Sequence, residues 1–150
     1  SQRGYIDFPD FNRYSFSEIK SWLDKHHFAD IEKNIVLNLW GKDKKEAVKK
    51  ANELEILLRY YDADRAVIKA KNTMLDYQLY LSEEIFLCSA QLISDIGKLN
   101  INYRPSDLDF DHVKLHKESE EIKIRINDEF KDITEKMKAE LQTGYYEDMK

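Results

Sequence analysis

Turn-forming residues are scarce in this chain, which has four glycines and two prolines among 150 residues. A β-sandwich or a βαβ fold needs many tight turns, so this scarcity argues against both classes. Apolar residues make up 42% of the chain and charged residues 35%, a balance typical of helices with one buried and one solvated face. The sequence therefore predicts an all-α fold, an antiparallel bundle of about four main helices.

Cysteine is represented by Cys88 alone, which excludes an intrachain disulfide and every zinc site built from several cysteines. Apolar residues surround Cys88 in the sequence, so we expect an unreactive core thiol. No apolar run approaches the roughly 18 residues that a membrane span requires, which predicts a soluble, cytoplasmic domain. Because the sequence starts at Ser1 and not at Met, an upstream tag, signal or membrane anchor that has been removed is one expectation.

The excess negative charge lies in the C-terminal part of the chain. Residues 107–150 hold 13 Asp and Glu against 8 Lys and Arg, whereas acids and bases balance in residues 1–106. Nucleic-acid binding depends on a basic surface, and the lysines of residues 42–50 are interrupted by Asp43 and Glu46. We therefore expect no nucleic-acid partner.

The start of the first helix is marked by a capping signal. Ser15 and Glu18 form the pattern of a capping box, which predicts that a helix begins at Phe16. The preceding residues 1–14 carry aromatics without a helical period, so we expect an extended arm there. Apolar residues at three- and four-residue spacing mark the other helices. In order, the predicted helices cover residues 16–27, 29–39, 44–70, 74–97 and 107–142.

Glycine marks the predicted ends of the last two helices. Gly97 is predicted to end the fourth helix in the left-handed conformation that glycine tolerates, and Gly144 closes the fifth. Residues 143–150 are then expected to form a loose tail. Asn72 and Thr73 are weaker breakers, so one continuous helix over residues 44–97 stays open as an alternative.

The fourth predicted helix is the most apolar segment of the chain. Between Glu84 and Lys98 its only charged residue is Asp95, and apolar side chains point in nearly every direction around the helix. A helix that is apolar on all sides is expected at the centre of a domain.

The long C-terminal helix carries a narrow apolar seam, which is typical of a helix that lies along one or two partners. A single domain over residues 1–150 can close its core with a shorter helix than the one predicted over residues 107–142. The far end of the seam is therefore expected to bind a partner protein or a second copy of the chain. The seam consists of Ile122, Ile126, Phe130, Ile133, Met137 and Leu141.

A metal-binding bundle is an alternative, because Asp109, His112 and His116 have the spacing that stacks side chains on one helix face. Paired Glu-x-x-His motifs bind two metal ions in some helical bundles. Here Asp replaces Glu, and the helix dipole already favours a carboxylate in the first turn of a helix. We therefore expect no cofactor.

Catalytic motifs are not evident in the sequence. There is no Gly-x-Ser-x-Gly elbow and no glycine-rich loop ahead of a helix, so we expect a non-enzymatic interaction or scaffolding role. A small-ligand cleft between helices is a further alternative, although aromatic residues at helical spacing more often belong to a core. Its candidate lining residues are Trp22, Trp40, Tyr60, Tyr61, Tyr77, Tyr80 and Phe86.

Three stretches resemble a pattern found in small bacterial proteins of unknown function. They are Glu-Leu-Glu-Ile-Leu-Leu-Arg-Tyr-Tyr at residues 53–61, Ala-Val-Ile-Lys at 66–69 and Leu-Asp-Tyr-Gln-Leu-Tyr at 75–80. The resemblance covers residues 20–100. It implies a helical cytoplasmic domain behind an N-terminal membrane helix, and hence a tethered regulatory or sensory role as an alternative. It implies no activity and no functional residue.

Overall fold

A computed structural model of the protein describes residues 8–105 and 112–147. Within those ranges the chain forms five α-helices and no strand, which confirms the predicted all-α bundle with a long C-terminal helix. None of these helices combines the length and the apolarity needed to cross a membrane. The helices are α1 (Phe16–Lys25), α2 (Asp30–Trp40), α3 (Lys44–Asp76), α4 (Glu83–Asn102) and α5 (His112–Glu147).

Contacts divide the chain into two units, residues 1–58 and residues 59–150, and the boundary falls inside α3. The first unit therefore contains α1, α2 and the beginning of α3. The second contains the rest of α3, α4 and α5. Because α3 supplies residues to both units, the single-domain organisation stays a prediction.

The capping box forms as the sequence predicts and starts α1 at Phe16. The Ser15 hydroxyl accepts a hydrogen bond from the Glu18 backbone N–H at 3.2 Å. In return, Glu18 Oε2 accepts a bond from the Ser15 backbone N–H at 2.6 Å. These bonds satisfy two donors that a helix start otherwise leaves open, and they lower the pKa of Glu18.

The core of the first unit includes part of the predicted arm. Phe11 begins a 3₁₀ turn, Phe11–Arg13, and its ring is buried edge-on against Trp22, with 4.7 Å between the ring centroids. The extended arm is thus replaced near its end by a turn that anchors the chain, while residues 1–7 lie outside the described residues. The core consists of Phe11, Ile19, Leu23, Val36, Trp40, Ala47, Val48 and Ala51.

The break between α3 and α4 lies later than the sequence predicts. The α3 helix continues past Asn72 and Thr73 to Asp76, and α4 begins only at Glu83. The helix predicted to start at residue 74 and the alternative of one helix over residues 44–97 are both wrong. The Ser82 hydroxyl accepts a hydrogen bond from the Ile85 backbone N–H at 3.2 Å, so Ser82 is the cap of α4.

Neither predicted glycine stop ends a helix. The α4 helix continues past Gly97 to Asn102, and α5 continues past Gly144 to Glu147. No glycine among the described residues has a positive φ, so Gly97 is an ordinary helical residue and not a left-handed cap. The predicted tail is thus helical as far as Glu147, whereas the predicted helix start at 107–111 lies outside the described residues.

In the second unit, α4 and α5 run antiparallel along each other. The Ser82 hydroxyl bonds to the Glu140 carboxylate near the start of α4, and the Asn102 amide donates to the Ser119 hydroxyl at 3.4 Å near its end. The later part of α3 lies beside α4, since a methyl group added to Gly97 would meet Val67 Cγ1 at 3.6 Å.

The α4 helix is not buried on all sides, which contradicts its predicted central position. Ile85 and Asp95 are its buried residues, whereas the side chain of Leu87 is 58% exposed and that of Ile101 63% exposed. Close contact with α5 covers one side of α4. On its other sides, Leu87, Ile96 and Ile101 stay exposed.

Replacement of Gly97 by alanine is expected to stabilise the protein by about 0.5 to 1 kcal/mol, because alanine loses less backbone entropy in a helix interior. The added methyl group lies at ordinary contact distance from Val67, so no clash opposes the gain. Urea denaturation followed by circular dichroism measures the change. Gly41→Ala, outside a helix interior and with open space around it, is the control. A destabilised Gly97→Ala protein would mean that Gly97 caps the helix after all.

Candidate functional site

The structure divides the predicted interaction seam between two faces of α5. Ile122 and Ile133 are buried, and Ile126 is half-buried. The remaining three residues are exposed: Phe130 by 63%, Met137 by 39% and Leu141 by 75%. The first group lies on the side of α5 that packs on α4. The second group lies on a neighbouring side that no described helix covers fully.

A groove of about 760 Å³ adjoins this exposed side and is lined by three helices of the second unit. The floor is formed by α4, and one wall is formed by each of α3 and α5. Nearly all of the lining is apolar, with Lys69 as its only charged residue. The main apolar lining residues are Ala66, Ala70 and Met74 of α3, Leu92 and Ile93 of α4, and Phe130, Ile133 and Met137 of α5.

A second groove of about 420 Å³ continues the first between α3 and α4. The two grooves share Ala66, Ala70 and Ile93, so we treat them together as the apolar groove. From Ala63 on α3 the apolar groove extends to Tyr77, the residue that follows the end of the helix. At a rise of 1.5 Å per residue this length is about 21 Å, or roughly four helical turns.

The width of the apolar groove follows from small side chains on α3. Ala63, Ala66 and Ala70 lie on one face at spacings of three and four residues and line the groove. The alanine side chain is too short to fill the space between α3 and α5. Phe130 and Met137 on the opposite wall therefore stay in contact with solvent.

An ion pair between a buried carboxylate of α4 and a half-exposed arginine joins α4 to α5. Asp95 has no exposed surface, and its two carboxylate oxygens accept from Arg125 Nε at 2.8 Å and Nη2 at 3.0 Å. Lys98 Nζ adds a longer contact of 3.4 Å. The hydrogen bonds from Arg125 lower the pKa of Asp95 to about 2, against the opposing effect of burial. The one charge in the apolar stretch of α4 thus bonds to α5.

A second carboxylate lies beside this pair. Burial, and after it the negative charge of Asp95, raise the pKa of Glu129 above its ordinary value. Glu129 Oε2 is buried and accepts no hydrogen bond from the residues that the structure describes. Ionised Glu129 is therefore less stable in the fold than in the unfolded chain, whereas ionised Asp95 is more stable.

Cys88 does not have the purely apolar surroundings predicted for it. It is half-buried, and its Sγ lies 3.4 Å from the Lys136 ammonium. The same ammonium contacts Asp132 Oδ2 at 2.9 Å and Glu84 Oε1 at 3.0 Å. These contacts, with Asp132 first, raise the pKa of Lys136. Cys88 thus belongs to a polar cluster that joins the start of α4 to α5.

The predicted metal-binding residues are not brought together in the part of the chain that the structure describes. Asp109 and the side chain of His112 lie outside it, and His116 is exposed on α5. The described residues contain no group of three or more His, Cys, Asp or Glu that could hold a metal ion. Binding of a metal by Asp109, His112 and His116 therefore stays a prediction.

The aromatic residues considered for a ligand cleft do not share one site. Trp40 is buried in the core of the first unit, and Trp22 packs against that core. In the second unit, Tyr77 lines the apolar groove, whereas Tyr80 is largely exposed. The groove is lined mainly by aliphatic side chains and not by these aromatics.

The α3 wall of the groove was not predicted from the sequence. The signal that would have found it is the spacing of Ala63, Ala66 and Ala70, since small residues on one helix face indicate a place where another helix can approach closely.

Comparison of the chain with protein-family models, with curated protein sequences and with solved structures finds no match. The geometry of the groove is therefore the basis for assigning a function to the protein.

Asp95→Asn is expected to lower the free energy of unfolding by about 2 kcal/mol at pH 7, because it removes a charged partner of two hydrogen bonds from Arg125. The higher free energy of unfolding of the unchanged protein, relative to Asp95→Asn, is present above the ordinary Asp pKa, near 4. It is lost as the pH falls through about 2, the pKa of Asp95 in the fold. Urea denaturation of both proteins at a series of pH values measures this difference in the free energy of unfolding. Asp62→Asn, which breaks an exposed pair with Arg65, is the control and should have little effect.

Glu129→Gln is expected to stabilise the protein at pH 7, because it removes a buried negative charge beside Asp95. The raised pKa means that the fold loses stability as the pH rises from the ordinary Glu pKa towards the pKa of Glu129 in the fold. The stability gained by Glu129→Gln should therefore vanish at about pH 4, where Glu129 is largely protonated in both the folded and the unfolded protein. Thermal unfolding at both pH values checks this, with the exposed Glu135→Gln as control. An equal gain at both pH values would contradict the explanation.

Proposed function

We propose that the protein is a non-enzymatic interaction domain whose second unit binds an α-helix of a partner protein in the apolar groove. The observation that carries this proposal is the position of Phe130 and Met137. Both line a groove formed by three helices, and both are exposed to solvent. A contiguous exposed apolar surface of this kind is typical of an interaction site.

The shape of the apolar groove supports a helix as the occupant. Its length of about 21 Å matches roughly four turns of α-helix, and amphipathic helices commonly bind in such grooves through residues at i, i+3, i+4 and i+7. A helix in this position would have α4 beneath it and α3 and α5 on either side. It would complete a four-helix arrangement with α3, α4 and α5.

The alanines of α3 support close approach of that helix. Helix axes come within about 8 Å when the side chains between them are small. Ala66 and Ala70 are exposed and lie in both parts of the groove, so a bulky side chain of the partner can occupy the space beside them.

The predicted self-association belongs to the same proposal, because a second copy of the chain is another possible source of an apolar helix. Leu141 extends the exposed surface of α5 by one turn beyond Met137 and is 75% exposed. We further propose a cytoplasmic location and, in a longer chain, a membrane tether, as the resemblance of residues 53–80 implies.

Ala70→Glu tests the proposal, because it places a charge in the groove at a residue that is exposed and makes little contribution to the core. The probe is a fluorescent helical peptide of about 18 residues with leucines at i, i+3, i+4 and i+7 and neutral flanks. Fluorescence anisotropy should show binding to the unchanged protein and a loss of about tenfold or more in Ala70→Glu, since a buried charge without a partner is costly.

Ala139→Glu is the matched control, because Ala139 is an exposed alanine of α5 that does not line the groove. It should bind the peptide as the unchanged protein does. No binding to the unchanged protein, or equal weakening by both substitutions, would contradict the proposed function.

A further inference from the structure

We propose that the helix that occupies the apolar groove carries acidic residues along the edges of its apolar face. This inference rests on the proposed function and names the chemical class of the partner. It follows from the charges around the groove, which differ in sign from the net charge of the chain.

The α5 edge of the groove carries two lysines. Lys131 and Lys138 each follow a groove residue, Phe130 and Met137, and a step of about 100° per residue places both on the same outer edge of α5. Both side chains are exposed. Neither forms an ion pair with a residue that the structure describes, although Lys131 and Glu135 have the spacing of a helical pair.

Three acidic residues of the same segment of α5 lie away from this edge, whereas Glu135, four residues after Lys131 and three before Lys138, lies next to it. Asp132 pairs with Lys136, Glu140 bonds to Ser82, and Glu129 lies beside Asp95. Each of these contacts is on the side of α5 that faces α4. The groove edge of α5 therefore carries two lysines and one acid, Glu135, although residues 107–150 as a whole carry more acids than bases.

The α3 wall adds a third lysine. Lys69 lines the groove directly and is exposed. Asp62, on the same edge of α3, pairs with Arg65, so its charge is largely neutralised. A helix in the apolar groove would thus have exposed lysines at both flanks, and acidic residues at its own flanks would complement them.

Charge also argues against a second copy of α5 as the occupant. In a symmetric antiparallel pair the same edges of the two helices face each other. Pairing through Phe130, Thr134, Met137 and Leu141 would then bring Lys131 of one copy towards Lys138 of the other. Like charges in this position oppose association, whereas an acidic helix meets no such repulsion.

The test compares three peptides of about 18 residues that share the leucine face and differ in their flanks, which are Glu, Gln or Lys. We expect the Glu-flanked peptide to bind the full chain about tenfold more tightly than the Lys-flanked one at low salt. The difference should shrink at about 1 M salt, because these charges are exposed and are screened.

Reversal of the charge at Lys131 and Lys138 gives a sharper test. In Lys131→Glu with Lys138→Glu, the preference should change to the Lys-flanked peptide. Lys131→Gln with Lys138→Gln should weaken the preference without adding acid to the helix. Lys20→Glu with Lys42→Glu makes the same change of net charge at exposed lysines of the first unit, outside the groove, and should leave the preference unchanged.

Three outcomes separate this inference from the proposed function. Equal binding of the Glu, Gln and Lys peptides would overturn the acidic partner and leave the helix-binding groove in place. Binding of none of them would overturn both. Self-association of the unchanged protein that Ala70→Glu abolishes, measured by sedimentation over a range of concentrations, would identify a second copy as the occupant and overturn the acidic partner.

Discussion

The ion pair of the buried Asp95 carboxylate with Arg125 is the contact on which the packing of α4 against α5 most depends. A carboxylate without exposed surface is stable only with partners of opposite charge, so α5 must present Arg125 at this level of α4. In that register Ile122 and Ile133 are buried, and Phe130 and Met137 lie on the neighbouring side of α5. The ion pair therefore favours an arrangement in which one part of the apolar seam is used inside the molecule and the other is left for a partner.

The other requirement for the apolar groove comes from α3. Large side chains at Ala66 and Ala70 would fill the space between α3 and α5 and cover Phe130. With alanine at these positions, α3 can lie close to Gly97 of α4 without closing the groove. The groove thus depends on small residues on one wall and large exposed residues on the other, and lysines border both. Burial of the exposed apolar surface by a helix would be favourable, because it removes that surface from water.

Local signals in the sequence predicted the beginning of the fold better than its end. Ser15 and Glu18 cap α1 through bonds between neighbouring residues, so sequence spacing was sufficient to place its start. Gly97 was misread because glycine can also be helical, and here contacts of α4 with its neighbours extend past it. Helical spacing identified the seam of α5 but not its division, since periodicity shows that a face is apolar and not which helix covers it.

The most direct measurement is the solvent accessibility of Phe130 in the monomeric protein, obtained by hydroxyl-radical footprinting and normalised to the unfolded chain. Phe11 and Phe130 provide a comparison between residues of the same type, because the first is 1% exposed and the second 63% exposed. Ile122 and Ile124 provide the same comparison within α5. The account predicts rapid modification of Phe130 and Ile124, with Phe11 and Ile122 protected. A monomer in which Phe130 is as protected as Phe11 would show that the chain fills its own groove and would contradict the account.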